Sequence, residues 1–130
     1  MLIKVQIIMS LIALSFLSGC EATPRPKVSQ GNTVIGETTK TAANNYLLCV
    51  ARGAHEMRRG SSDVRLVVDT AVNSCNEQRN GLYSALAFDQ VSPSFAEGYA
   101  SSILNNAKNF ATEIVLKGNA RAAARENSQP

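Results

Sequence analysis

The side chains most suited to covalent or acid–base chemistry in this 130-residue chain are three cysteines and one histidine. The histidine, His55, begins a segment that starts like the zinc-protease pattern H-E-x-x-H but has Arg59 where the second metal-binding histidine belongs. The sequence places no further ligands nearby, so we predict no metal site and no cofactor. On the first predicted helix His55 points away from the apolar face, which is typical of a solvated surface histidine.

The carboxylates are scattered too widely to form a paired acid and base. They lie on the polar faces of the predicted helices, mostly near an Arg or Lys, at Asp63, Asp69, Glu77 and Glu113. Arg65 and Asp69 suit a surface ion pair that contributes about 0.3 kcal/mol. No sharp strand-to-helix turn presents a serine for a triad with His55, and no glycine-rich phosphate loop is present. We therefore predict that the protein is not an enzyme.

Cys20 indicates a different kind of chemistry. An apolar run from Val5 to Phe16 follows Lys4 and leads into Leu17-Ser18-Gly19-Cys20. This segment resembles the lipobox at which bacterial lipoprotein precursors are lipidated and cleaved. The resemblance implies that residues 1–19 are a signal peptide and that the mature protein begins at an acylated Cys20, which carries palmitate or similar chains. It covers only the start of the chain and implies no fold for the rest.

The apolar run is better explained as a cleaved signal than as a membrane span. It has thirteen residues from Val5 to Leu17, whereas a transmembrane helix needs roughly 20. The alternative is an ordinary secretory signal with a chance cysteine, since Ser18 and Gly19 suit that cleavage too. Glu21, rather than Asp, follows Cys20, which is similar to lipoproteins released to the outer membrane. We expect a lipid-anchored protein of the cell envelope, at the outer membrane and facing the periplasm.

The mature chain would be one small domain with a mild charge. Loss of Lys4 leaves twelve Lys and Arg against ten Asp and Glu, a formal charge of +2. This balance does not favour nucleic acid as a partner. The expected partners are the membrane, through the N-terminal lipid, and an envelope protein.

Residues 20–40 are predicted to form the lipidated cysteine and a flexible tether. Pro24 and Pro26 favour extended backbone, and Thr, Ser, Gly and Asn dominate the remainder of this segment. Val34 and Ile35 are the only local apolar pair, and residues 33–35 could form a short strand without an obvious partner.

Beyond the tether, helical periodicity predicts a domain over residues 41–118 and leaves the Ala/Arg-rich residues 119–130 as a tail. Thr39 or Thr41 can cap the first helix, and Gly60 ends it. Its apolar face spans an arc of about 120° and consists of Ala42, Ala43, Tyr46, Cys49, Val50, Gly53 and Met57. No segment alternates apolar and polar residues for long enough to predict a sheet. The expected fold is all-α, a small three-helix bundle.

The second and third helices have recognisable ends. The second covers Val64–Leu86, with Ser62 as its N-cap and Asn80-Gly81 as a potential interruption. The third begins at Ser92-Pro93, where the proline occupies the first helical position and loses no hydrogen bond. Gly118 is expected to end it.

Cys49 and Cys75 are predicted to form a disulfide. In an antiparallel hairpin that turns near Ser61, the two cysteines lie at nearly the same distance from the turn, and both fall on inner faces. An exported domain meets an oxidising compartment in which such a bridge forms. The alternative is a pair of buried free thiols. A bridge would exclude either cysteine as a nucleophile.

A basic patch at the end of the first helix has two interpretations. It consists of Arg52, His55, Arg58 and Arg59, with Glu56 as the only acid among them. Cations near a helix C-terminus complement the helix dipole, which explains the patch structurally. The functional interpretation is a docking surface for an acidic partner, such as anionic lipid headgroups, lipopolysaccharide phosphates, cell-wall carboxylates or an envelope protein.

Two classes of function remain open. The first is a tethered, non-catalytic interaction or accessory module, which includes a lipoprotein that excludes phage or plasmids by occupying a receptor. The second is a binder of a small apolar or lipid ligand in a cavity between the helices. Met57, Phe95, Tyr99 and Phe110 could line such a cavity, although Met and aromatic residues at helical spacing are more often simply core.

Labelled palmitate tests the lipobox. We expect label in the wild-type protein and none in Cys20→Ala, because only cysteine provides the thioether that the processing enzymes recognise. The variant should accumulate with residues 1–19 attached. A wild-type N-terminal peptide that carries no lipid mass would contradict the prediction.

Overall fold

The computed structural model describes residues 33–128, which form a bundle of four α-helices. These are α1 (Glu37–Met57), α2 (Val64–Ser74), α3 (Asn76–Phe88) and α4 (Pro93–Glu126). The predicted lipobox, Cys20 and the tether as far as residue 32 lie outside the described residues. Within residues 33–128 no helix is long and apolar enough to cross a bilayer. The prediction of an all-helical fold is confirmed, but with four helices in place of three.

The first helix starts earlier than predicted because a distant carboxylate caps it. The N-cap is Gly36, and the Asp89 carboxylate accepts hydrogen bonds from the backbone N–H groups of Gly36 (3.1 Å) and Thr39 (3.3 Å) and from the Thr39 hydroxyl (2.5 Å). A Cβ at position 36 would lie 2.6 Å from the Asp89 oxygens, so glycine permits this close approach. Residues 37–40, which the sequence places in the tether, therefore belong to α1.

Asp89 is placed by the way in which α3 ends. Gln90 has a positive φ of 54°, the Val91 N–H donates to the Leu86 carbonyl (3.2 Å), and the Gln90 N–H donates to the Ala87 carbonyl (3.1 Å). This pair of bonds is the Schellman arrangement, which satisfies carbonyls at a helix end. Val91 and Leu86 are buried in one cluster, a contact that commonly accompanies this arrangement. The chain reverses here, and the Asp89 carboxylate meets the first turn of α1.

The predicted second helix is divided at Cys75, and not at Asn80-Gly81. The Cys75 backbone leaves helical geometry at φ −100° and ψ 31°, and its N–H donates to the Val72 carbonyl three residues back. Gly81 lies within α3, where a Cβ would meet open space. Periodicity does not reveal the break because the apolar positions before and after it still suit one continuous face.

The turn between α1 and α2 is tied to α4. Asp63, and not Ser62, caps α2: its carboxylate accepts from the Leu66 N–H at 3.1 Å. The Ser61 hydroxyl accepts from the Asp63 N–H at 3.1 Å. Asn119 donates from its side-chain amide to the Ser62 carbonyl at 2.9 Å. These bonds place the end of α1 beside the last turns of α4.

The fourth helix does not end at Gly118. It continues to Glu126, so residues 119–126 of the predicted tail are helical. A glycine within a helix costs about 1 kcal/mol relative to alanine. The next residues favour the helix more strongly, since alanine is the best helix former and occupies positions 120, 122, 123 and 124.

Small side chains dominate the core, which consists of two clusters. The cluster around Tyr46 joins α1, α2 and α4, and the other joins the start of α1 to α3 and α4. Seven alanines are among the buried core residues: Ala43, Ala54, Ala71, Ala85, Ala100, Ala107 and Ala111. Ile103 and Leu104 pack against both clusters. Small residues let the helix backbones approach closely, so positions of modest hydrophobicity still form a filled core.

The predicted disulfide is confirmed. Cys49 of α1 is bonded to Cys75 at the break between α2 and α3, with their Cα atoms 6.0 Å apart and a sequence separation of 26. Closing a loop of this length stabilises the folded state by about 3 kcal/mol. Cys75 is fully buried. The bond joins the middle of α1 to the junction of the two helices that pack on it.

Removing the Asp89 carboxylate should destabilise the fold although Asp89 is not an apolar core residue. We expect Asp89→Ala to lower the free energy of unfolding in urea by about 2 kcal/mol, because the buried Thr39 hydroxyl loses its acceptor and α1 its cap. Asp89→Asn keeps an acceptor oxygen and should lose about half as much. Asp69→Ala, which removes only an exposed ion pair with Arg65, should change stability by less than about 0.5 kcal/mol. Equal effects of Asp89→Ala and Asp69→Ala would contradict the capping role.

Candidate functional site

The end of α1 and the last third of α4 line an open crevice with basic walls. Its volume is about 160 Å³. The residues that line it, here called the basic crevice, are His55, Arg58, Ile114, Lys117, Gly118 and Arg121. Two helices far apart in sequence therefore bring one histidine, two arginines and one lysine together.

Arg58 is the central side chain of this crevice. It is the C-cap of α1, and one of its guanidinium nitrogens, Nη2, lies 3.2 Å from His55 Nε2. Its Nε is buried and has no hydrogen-bond partner within the described part of the chain. A Cβ at position 118 would overlap Arg58 Nη1 and Cδ and lie 3.0 Å from Cζ. Gly118 thus leaves the space that the guanidinium occupies.

The positive charge of the crevice is only partly compensated. Lys117 forms a short ion pair with Glu113, one turn earlier in α4. Among residues 33–128, no carboxylate lies within ion-pair distance of Arg58 or Arg121. The crevice therefore presents an excess of hydrogen-bond donors and positive charge to any ligand that enters it.

The structure divides the basic patch that the sequence predicted. His55 and Arg58 line the basic crevice, whereas Arg52 lines a separate groove of about 580 Å³ with Ser74 and Gln78. Arg59 lies in the exposed turn after α1. Arg58 is half-buried and does not project freely from a polar face, because α4 passes beside it. The four residues are neighbours in sequence but not one continuous surface.

Sequence reasoning misses the residues that α4 contributes. It predicts that Gly118 ends the helix, and it leaves Arg121 in the tail. The available signal is the spacing of Lys117 and Arg121, which lie four residues apart and share one helix face if the helix continues. The alanines on either side of Arg121 favour that continuation.

The described residues bring no catalytic arrangement together at His55. His55 is exposed, and its hydrogen-bond neighbour is the Arg58 guanidinium, which cannot accept a proton as an orienting carboxylate would. Cys49 and Cys75 are joined and so are not nucleophiles. Within residues 33–128 no group of three or more His, Cys, Asp or Glu side chains is placed to hold a metal ion.

Tyr46 is the largest buried side chain and has a shifted pKa. Burial raises the pKa of its phenol; Arg79 opposes this shift and Tyr83 adds to it. The Tyr46 hydroxyl has no hydrogen-bond partner among the described residues. The phenol is therefore neutral at physiological pH, and its ring packs in the cluster that joins α1 to α2 and α4.

The four side chains considered for a ligand cavity do not line one internal site. Met57 packs against the Tyr46 cluster and Tyr99 against the other cluster, whereas Phe95 and Phe110 are 37% and 50% exposed. A groove of about 710 Å³ lies instead at the surface between α1 and α3. Its walls include Ala42, Ala85 and the 75% exposed Phe88.

The basic crevice and the grooves beside α1 are open at the surface and can receive a ligand or a partner without opening the core. Comparison with protein-family models, with curated proteins and with solved structures gives no match to this chain. The function must therefore be inferred from the chemistry of these surfaces and from the sequence.

Gly118 and Gly98 provide a matched test of the contact with Arg58. Both lie within α4, but a Cβ at Gly98 would meet open space. We expect Gly98→Ala to raise the free energy of unfolding by about 0.5–1 kcal/mol, as alanine usually does in a helix. Gly118→Ala should give no gain or a loss, because its methyl group displaces the guanidinium.

A double-mutant cycle identifies the cause. In an Arg58→Ala background, Gly118→Ala should recover the stabilisation seen at Gly98, with an interaction energy of about 1 kcal/mol. Urea unfolding of the disulfide-bonded protein measures all four variants. A Gly118→Ala gain equal to that of Gly98→Ala in the wild-type background would show that Arg58 does not occupy this space.

Proposed function

We propose that the protein is a lipid-anchored, non-catalytic interaction module of the cell envelope, located at the outer membrane and facing the periplasm. Acylated Cys20 would hold it on the membrane, and the helical domain would bind an envelope protein. The resemblance of Leu17-Ser18-Gly19-Cys20 to a lipobox supports the anchor. The Cys49–Cys75 disulfide supports export, because such bonds persist in oxidising compartments.

The length of the segment before α1 is compatible with a tether. From Cys20 to Gly36 the chain has sixteen residue steps, which span at most about 55 Å. Through such a segment the domain could contact a partner on the membrane or at some distance from it. The domain need not pack on the bilayer to reach such a partner.

The observation that carries the docking role is a pair of exposed arginines in the last two turns of α1 and the turn after it, Arg52 and Arg59. Both side chains are exposed and have no ion-pair partner within residues 33–128. Exposed cations of this kind attract an acidic partner and orient its approach. The disulfide and the turn contacts hold the backbone that carries them.

An apolar ligand is the second candidate, and the groove between α1 and α3 favours it. Ala42, Ala85 and Phe88 form an apolar wall that is open to solvent, so a ligand would bind at the surface and not in the core. Exclusion of phage or plasmids is one biological setting for the interaction module, since each kind of exclusion requires a module that occupies a receptor.

Charge reversal at the two exposed arginines tests the docking role. In cells, a photo-crosslinker at exposed Ser62 should capture an envelope protein with the wild-type chain. The double variant Arg52→Glu/Arg59→Glu should reduce capture at least about tenfold, because its new glutamates would repel an acidic partner. The matched control, Arg65→Glu/Lys108→Glu, makes the same charge change at exposed positions elsewhere and should retain capture. Stability should change by less than about 0.5 kcal/mol in both.

His55→Ala should retain capture and biological phenotype, because no proton transfer is required of it. A phenotype lost with His55→Ala in a stable, lipidated protein would contradict the non-catalytic proposal. Capture that is indifferent to the double reversal would remove the docking role from this surface.

A further inference from the structure

We propose that the basic crevice is a binding site for a phosphate group. Arg58, Lys117 and Arg121 converge on it from two helices, together with the one histidine of the chain. Of the three cations in the crevice, only Lys117 has a carboxylate partner within the described residues. This inference goes beyond the proposed docking of a protein, because it names a small anion and a different set of residues.

Contacts within the protein hold the Arg58 guanidinium in place. Gly118 accommodates the guanidinium, and His55 contacts its Nη2 atom at 3.2 Å. A planar donor fork held in place loses little conformational entropy when it binds an oxyanion. Nε is buried, so an anion in the crevice would meet the terminal N–H groups of the guanidinium.

The charge and size of the crevice favour phosphate over a single carboxylate. A phosphate monoester carries about −1.5 to −2 charges and three strong acceptor oxygens at pH 7, which match donors from Arg58, Lys117 and Arg121. A carboxylate carries one charge and, with Lys117 already paired to Glu113, would leave one of the three cations uncompensated. The volume of about 160 Å³ admits a compact tetrahedral anion but not a folded acidic surface.

Glu113 gives the proposal a second, opposite test. Its carboxylate pairs with Lys117, so it competes with an anion for the same ammonium group. Removing the Glu113 charge should therefore strengthen phosphate binding, whereas general damage to the fold would weaken it.

The phosphate could come from solution or from a lipid headgroup. The crevice lies at the end of α1 away from Gly36, about 30 Å from the start of a 21-residue helix. The stretch from Cys20 to Gly36 is long enough, at about 55 Å when extended, for this end to reach the membrane that holds the anchor. Both sources present the same chemistry to Arg58, Lys117 and Arg121.

The experiment measures phosphorus-31 resonances on titration with the full-length protein in a non-ionic detergent at constant ionic strength. The probes are inorganic phosphate, short-chain phosphatidic acid and, as control, short-chain phosphatidylcholine. We expect millimolar or tighter binding of phosphate and no binding of phosphatidylcholine. Lys117→Gln and Arg121→Gln should each weaken binding by about fivefold or more, and Glu113→Gln should strengthen it about twofold.

The matched controls are Lys108→Gln, on the same helix as Lys117, and Arg65→Gln, on α2. Both positions are exposed and lie outside the crevice, so phosphate affinity should stay within about twofold of wild type. Helical circular dichroism and melting temperature are recorded for every variant. All five substitutions are at exposed side chains, so the folds should be equivalent.

The outcomes distinguish free phosphate from a lipid headgroup, and they distinguish the phosphate site from the protein-docking role. Equal affinity for phosphate and phosphatidic acid supports a site for the free anion, and at least tenfold tighter binding of phosphatidic acid supports a lipid headgroup. No saturable binding of either probe, or equal weakening by Lys108→Gln and Lys117→Gln, would overturn the proposal. The Arg52→Glu/Arg59→Glu variant separates it from protein docking, since partner capture and phosphate affinity can then fail independently.

Discussion

The covalent bond between Cys49 and Cys75 is the constraint on which the arrangement of the helices depends. It attaches the middle of α1 to the point where α2 ends and α3 begins, so that both of these shorter helices are held against α1. A bundle with an alanine-rich core buries less apolar area per residue than one built from leucine. A bond that removes about 3 kcal/mol of unfolded-state entropy is therefore a large share of its stability.

Besides the disulfide, polar contacts between distant segments hold the helices together. At one end of the bundle, the Asp89 carboxylate satisfies the first turn of α1. At the other, Asn119 binds the turn before α2 while Gly118 makes room for Arg58. Each contact joins the end of one helix to another helix. Because such ends leave N–H and C=O groups without intrahelical partners, they are where polar side chains contribute most.

The same contacts produce the surface that could bind ligands. Arg58 is held by packing and not by an acidic partner, and α4 extends past it to add Lys117 and Arg121. A charge cluster fixed in this way keeps its donors available to an anion. The proposed anchor and the proposed phosphate site thus have separate roles. The anchor determines where the protein resides, and the phosphate site determines which ligand binds at the end of α1 away from Gly36.

The sequence alone determined the helical class, because apolar residues recur at helical spacing from Ala42 to Ile114, and it determined the Cys49–Cys75 pairing, because two cysteines equidistant from a turn reach the same level. The ends of the helices were harder to predict from the sequence. The start of α1 depends on Asp89, and the continuation past Gly118 on the Ala-rich segment after it and on Asn119, which binds the turn before α2. The alanines after Gly118 were a local signal for the longer helix. Only the tertiary structure decided the Asp89 cap and the crevice, since contacts between residues fifty or more positions apart leave no trace in local periodicity.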